Sequence, residues 1–241
     1  MDQRLMGRPE RGGAANDREL VFELPDGGRA LFTTRAEGNL STGAGDRHEH
    51  GLRHRGAICE SHSLPWVCSS RQVHGAVVNV VDRLTGAQGS ALAIDADGHA
   101  TALRNLGVMV MAADCLPVAL GCDGAVAMVH AGWRGLVAGV LEQGVRTLRQ
   151  LGHGARIVAI VGPCAGACCY DVGPEVHRAF AGEHAHGRHI DLRAIAHERL
   201  VAVGVDEIGD VDVCTICDER FFSYRREGAH AGRQAGIAWL S

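Results

Sequence analysis

Two histidines and one cysteine, His74, Cys115 and His130, are the residues of this chain whose types and surroundings suit chemistry. Each ends or follows a short apolar run and has glycine or unusual polar neighbours. The three segments are Ser70-Arg71-Gln72-Val73-His74-Gly75, Met111-Ala112-Ala113-Asp114-Cys115-Leu116-Pro117 and Met128-Val129-His130-Ala131-Gly132-Trp133-Arg134-Gly135. Two imidazoles and a thiolate make a metal site with one position open, the donor set of a catalytic zinc centre. The spacing is not that of a zinc finger, so the fold must bring the three together.

Taken singly, each has an ordinary explanation: a histidine after a strand is usually structural, and a buried cysteine is usually inert. Their convergence argues for more. Cys115 and His130 close the two arms of an expected hairpin, at strand ends where side chains can project into a cleft. Asp114 beside Cys115 can orient a histidine or bind substrate. Trp133 can stack on a flat ligand, and Arg134 can hold a carboxylate or phosphate or cap its turn. Two chemistries fit the set. All three residues can bind Zn²⁺, which then acts from its fourth position. Alternatively Cys115 is a thiolate nucleophile with His130 as its base. The second leaves His74 only an orienting role, and deep apolar placement raises a thiol pKa unless a cation or metal compensates. The metal reading is preferred.

The elements that must position these residues follow from periodicity. Residues 1–17 read as a flexible polar tail and 18–241 as one domain. Residues 18–35 predict two short strands around Pro25-Asp26-Gly27-Gly28. Gly38 to Arg55 reads as a loop, with a short helix over Gly56 to His62. Strands are expected over Leu64–Val73, Val77–Val81, Val108–Ala113 and Arg156–Val161. Val118–Leu120 and Ala125–Val129 predict a hairpin turned by Cys122-Asp123-Gly124. Gly86 to Thr101 reads as loop and turn around Asp95-Ala96-Asp97-Gly98. Leu136, Val137, Val140, Leu141, Val145 and Leu148 recur at helical spacing and predict one helix from Gly135 to Leu151, stopped by Gly152. Further helices are expected at Glu175–Phe180 and Arg193–Val203, and a last strand at Gly236–Leu240. The outcome is a single α/β domain with a mixed sheet.

Composition removes several function classes. Hydrophobic residues form 46% of the 241, which excludes disorder over most of the chain. All basic side chains are arginine, so no lysine nucleophile or Schiff base exists. The net charge of −4 comes without a basic stripe, which argues against nucleic acid as a partner. No run is apolar enough to span a membrane and no secretory segment is evident, so a cytoplasmic protein with free thiols is expected. No dinucleotide or P-loop glycine pattern occurs. Cys214-Thr215-Ile216-Cys217 has metal-ligand spacing but lacks a second Cys-x-x-Cys, and Cys168-Cys169, whose adjacency is poor geometry for two ligands on one ion, read as tight packing after Gly162-Pro163.

Taken together, these segments resemble a known group. Gln72-Val73-His74-Gly75, Ala113-Asp114-Cys115-Leu116-Pro117 and His130-Ala131-Gly132-Trp133-Arg134-Gly135 are similar to signatures of the YfiH/YlmD-type proteins, also called polyphenol oxidase or laccase-domain proteins. The likeness continues through Gly162 to Gly173, Asp191-Leu192, Cys214-Thr215, Ser223-Tyr224-Arg225-Arg226 and Gly232-Arg233-Gln234, covering about residues 30–240. The resemblance implies an α/β/α sandwich related to a cytotoxic deamidase domain, with His74, Cys115 and His130 as zinc ligands. It implies phosphorolysis of purine nucleosides (adenosine, inosine, guanosine and S-methyl-5′-thioadenosine) and deamination of adenosine. Purine nucleoside and phosphate would be the partners. Arg35, in the Thr-Arg stretch, would meet phosphate or base, and Tyr170, like Trp133, would stack on the purine. An older assignment, copper-dependent phenol oxidation, needs more histidine ligands than the chain supplies, although His184, His186 and His189 cluster locally. A Cys115 amide hydrolase and a non-catalytic metal protein are further alternatives. The chain departs from the family pattern in its N-terminal third, where Thr33-Thr34-Arg35-Ala36-Glu37-Gly38 passes directly to Asn39-Leu40. Two further departures are His54-Arg55 and Gly162-Pro163-Cys164-Ala165-Gly166.

Overall fold

The computed structural model describes residues 19–43, 46–83 and 91–241. The tail expected at 1–17 and part of the loop expected from Gly86 lie outside the described residues. In chain order the elements are β1 Glu19–Leu24, β2 Gly28–Thr33, α1 Asp46–Ser61, β3 Trp66–Arg71, β4 Val78–Val80, β5 Ala91–Asp95, β6 Gly98–Thr101 and β7 Leu106–Ala112. They continue with β8 Leu116–Cys122, β9 Ala125–Ala131, α2 Trp133–Val137, α3 Val140–Leu151, β10 Val158–Val161 and α4 Pro174–Ala179. The last are β11 Ala185–His186, β12 His189–Ile190, α5 Leu192–Ala202, β13 Glu207–Asp210, α6 Tyr224–Glu227 and β14 Gln234–Leu240.

The expected mixed α/β domain is present, and its β layer is two sheets rather than one. One sheet has the order β1-β2-β14-β7-β3-β5 and the other β13-β10-β8-β9-β6-β4. Each mixes parallel and antiparallel pairs. Phe32, Trp66, Val108 and Ala238 of the first sheet meet Ala119, Val126, Met128 and Ile160 of the second in a shared core. The outer face of the second sheet packs on Leu141, Val145 and Leu148 of α3 and on Ile195 and Leu200 of α5. The outer face of the first receives Ile58 and Cys59 of α1. Strands β8 and β9, covered on both faces, are buried throughout, which is why they read as unbroken apolar runs.

Three expectations need correction. The loop expected before Arg55 is instead most of helix α1, which lacks a clear apolar stripe. Arg55 is buried on it, donating to Leu40 O at 3.0 Å and Ser69 Oγ at 3.1 Å. The single helix expected from Gly135 is two, because Gly139 adopts φ +82°, a left-handed conformation that costs glycine little. The segment read as loop up to Thr101 contains β5 and β6, too short for an alternation pattern to register. Among the described residues, no helix is long and apolar enough to cross a membrane.

Candidate metal centre and cleft

The hairpin explains how Cys115 and His130 meet. Leu116 of β8 pairs with Ala131 of β9, and Pro117 pairs with His130. Cys115 immediately precedes β8, so both residues stand at the same end of the ladder. His74 arrives from the other sheet, three residues after β3. Its φ of +59° is unusual for a residue bearing a Cβ, and Asp114 is also left-handed at +87°. The ligand atoms of His74, Cys115 and His130 lie within 4.8 Å of one another. Cys115 Sγ is 3.8 Å from His74 Nε2, and the two imidazoles cross edge to face at 4.9 Å.

Asp97 holds this arrangement, and sequence reasoning missed it. The buried Asp97 accepts from three successive backbone amides: Val73 at 3.1 Å, His74 at 2.9 Å and Gly75 at 2.7 Å. Its Oδ1 also faces His130 Nδ1 at 2.8 Å. One carboxylate thus folds the His74 turn and fixes the His130 ring, leaving Nε2 for the cluster. Strand β6 carries it there, since Gly98 pairs with Val129 of β9. The available sequence signal was Asp97-Gly98, which reads as a turn. Burial opposes ionisation of Asp97, but hydrogen bonds from His130, Gly75 and Val73 keep its carboxyl below the usual range.

The charges in the cluster are coupled. Burial disfavours the Cys115 thiolate, yet His130 and His74 pull the thiol down to about 6. Burial likewise disfavours a charged His130, but Cys115 and Asp97 raise it to about 9. Each group thus favours the charged form of the other, the thiolate beside the imidazolium. The residues fit a metal. A tetrahedral zinc with ~2.3 Å and ~2.0–2.1 Å bonds separates ligating sulfur and nitrogen by about 3.6 Å, close to the observed spacing. Gly132 keeps the space clear, because a Cβ there would lie 2.9 Å from His74 Cδ2 and 3.0 Å from Cys115 Sγ.

The cluster lines a cleft of about 570 Å³ whose wall includes Asp114, Trp133, Arg134 and Tyr170, all proposed from sequence. Each aromatic ring already carries a guanidinium: Arg134 lies 4.2 Å over Trp133, and Arg225 lies 4.7 Å over Tyr170. Asp114 does not orient an imidazole. Its Oδ1 accepts from Thr215 Oγ1 and its Oδ2 from the Arg225 amide, both at 2.7 Å. Arg35 is not part of the cleft wall; it donates to Phe221 O at 3.1 Å, pairs with Glu227 and covers the Phe222 ring. The wall's other arginines are Arg71, Arg225 and Arg233, which the sequence reading had not assigned to a site. Gln72 braces the cleft floor, donating to Met111 O and accepting from Met111 N, both at 2.7 Å. The His184 and His186 cluster lies away from this cleft, on the β11–β12 hairpin, where His184 meets Glu198 at 2.9 Å.

Residues 27–241 match the family described as multi-copper polyphenol oxidoreductase laccase. This chain belongs to that family. Among its curated relatives, a purine nucleoside phosphorylase of Escherichia coli K12 is 36% identical over 243 residues, covering 90% of this chain and 95% of that protein. One from Streptomyces griseus is 37% identical over 216 residues and 85% of each chain. Solved structures agree on the fold. YlmD of Geobacillus stearothermophilus superposes with a TM-score of 0.82 at 27% identity, over 95% of this chain and 98% of that one. Protein NMB0706 of Neisseria meningitidis gives 0.78 at 31% identity, over 93% and 99%.

Proposed function

We propose that this chain is a zinc-dependent purine nucleoside phosphorylase that also deaminates adenosine. One observation carries the reading: a His₂Cys donor set, open on one side, in the wall of an arginine-lined cleft of about 570 Å³. That volume lies within the ~300–1,000 Å³ range of small-molecule sites. The names of the relatives support the substrate class.

His74, Cys115 and His130 would hold the zinc, which supplies Lewis acidity at its open position. Asp97 takes the His130 Nδ1 proton into a hydrogen bond, so Nε2 carries the lone pair. Arg134 and Arg233 give the cleft the positive charge a phosphate needs, since Arg71 is already paired with Asp95. Tyr170 and Trp133 offer ring faces to a purine. In phosphorolysis a phosphate oxygen bonds to ribosyl C1′ as the C1′–N9 bond breaks. The purine leaves with that electron pair and gains a proton. Adenosine incubated with zinc-replete protein separates the activities: adenine formed only with phosphate marks phosphorolysis, and inosine marks deamination. No conversion of any purine nucleoside overturns the proposal.

Copper-dependent phenol oxidation has less support. A blue-copper site adds a long axial thioether to His₂Cys, and Met111 of the cleft meets Arg55 through its Sδ at 3.3 Å. A second reading, an amide hydrolase with Cys115 as nucleophile, is favoured by the thiol's low value of about 6. Iodoacetamide separates the two. In metal-free protein Cys115 should alkylate at a rate that stays high as pH falls and drops only below about 6, because the thiolate persists until then. Zinc should abolish that reaction. Rapid alkylation in the presence of bound zinc favours the hydrolase.

A further inference from the structure

We propose that Cys168, Cys169, Cys214 and Cys217 form a second metal site, a closed tetrathiolate zinc centre that ties the loop carrying Tyr170 of the cleft wall to the loop that leads into α6. The four sulfurs lie within 4.8 Å of one another. Cys217 Sγ is 3.0 Å from Cys169 Sγ and 3.7 Å from Cys168 Sγ, and all four are free thiols. The edge of a zinc–sulfur tetrahedron with ~2.3 Å bonds is about 3.8 Å. The sulfurs are thus gathered at nearly the size that an ion imposes.

The backbone is organised for this. The loop after β10 and the loop before α6 are joined by the parallel bridge Cys164–Cys214, with Thr215 N donating to Cys164 O at 2.9 Å. Cys217 N and Asp218 N both donate to Cys214 O, at 3.2 Å and 3.0 Å, curling the Cys-x-x-Cys segment into a turn. The Gly166 amide donates to Cys214 Sγ at 3.2 Å, which favours the thiolate that a metal requires. Arg226, paired with Glu227 at 2.8 Å, donates to the carbonyls of Thr215 and Ile216, both at 2.9 Å, and so braces the Cys-x-x-Cys turn. A disulfide would use two of the four sulfurs. Four cysteines are the complement of a closed structural zinc site with no open position.

The location gives the site a purpose distinct from catalysis. Tyr170, next to Cys169, lines the cleft, and Thr215, next to Cys214, holds Asp114 beside Cys115. An ion between the loops would fix both.

The test counts metal in full-length protein purified with reductant and without chelator. Elemental analysis should give two zinc ions per chain for the wild type. One should remain in Cys115→Ala, and one in the Cys214→Ser/Cys217→Ser variant. Cys115→Ala reloaded with cobalt should show the absorption of tetrathiolate cobalt rather than that of a mixed nitrogen–sulfur site. One zinc in the wild type and none in Cys115→Ala overturns the proposal, without needing the serine variant to fold. So does iron in place of zinc, or a Cys169–Cys217 disulfide in the reductant-purified protein. One zinc in both proteins, with the tetrathiolate spectrum, upholds this site while counting against the zinc reading of His74, Cys115 and His130.

Discussion

The His74–Cys115–His130 centre and the four-cysteine cluster use similar donor atoms in opposite ways. The first is set at strand ends, where the β8–β9 register and one buried carboxylate, Asp97, determine where each ring points. The second is set on two loops, with Cys168 and Cys217 exposed. Three donors leave a side open to a cleft, whereas four donors close on themselves. The rigid, incomplete set is the one suited to chemistry, because an open position matters only if its ligands cannot drift. The complete set on loops is suited to holding those loops.

Breaking the first centre should have the largest effect. If Cys115 is a zinc ligand as proposed, Cys115→Ala should lower adenine release from adenosine in phosphate by more than the ~10–100-fold typical of losing an outer partner. Near-wild-type phosphorolysis by metal-free Cys115→Ala would remove the centre from the reaction altogether. Asp97→Asn comes next. The amide keeps one acceptor but turns a donor toward either His130 Nδ1 or the amides of Val73 and Gly75, all now accepted by the carboxylate. Zinc affinity, measured by competition with a chelating dye, should fall ~10–100-fold. An unchanged affinity would mean that the rings are held without Asp97.

Gly132→Ala sharpens the comparison by steric means alone. At φ −77° the backbone accepts alanine without strain. The new Cβ would nevertheless crowd His74 and Cys115 at 2.9 Å and 3.0 Å. Zinc affinity and turnover should drop about 10-fold, less than the ~100-fold that a 1 Å misplacement of reacting groups can cost. Tm should change little. A large loss of Tm with intact zinc affinity would mean that the ligands move aside and the core absorbs the strain.

The two regions also differed in how far sequence revealed them. The β8–β9 hairpin was legible because its strands are buried on both faces and meet at Asp123-Gly124, so Cys115 and His130 could be paired in advance. Asp97 was not, because a carboxylate that accepts from Val73, His74, Gly75 and His130 acts across more than twenty residues, while its own neighbourhood reads only as a turn. Helix α1 was hidden by its polar composition; what stabilises it is the tertiary contact of Ile58, Cys59 and the buried Arg55, not its own periodicity. The cysteine cluster stayed hidden because Cys168-Cys169 and Cys214-x-x-Cys217 are each incomplete. The bridge between Cys164 and Cys214, a tertiary contact, brings the halves together. The two-sheet core was equally invisible, since strand order is long-range information that alternation does not encode.

Asp114 is the link between the two regions, and testing it should give the smallest effect. Its backbone carbonyl accepts from Ala165 N at 2.9 Å, and its carboxylate accepts from Thr215 and from the Arg225 amide. Thr215 is fully buried, so Thr215→Val keeps the shape but leaves Asp114 Oδ1 without its donor. Leaving a buried acceptor unsatisfied costs about 1–3 kcal/mol, which should appear as a lower Tm. Thr215→Ser retains the hydroxyl and should recover most of it. If the loops and the open centre are mechanically coupled, the valine variant should also lose activity, by less than Gly132→Ala, and the serine variant should restore it. A lowered Tm with unchanged kcat and KM would show that Asp114 joins the two regions structurally without transmitting anything to the cleft.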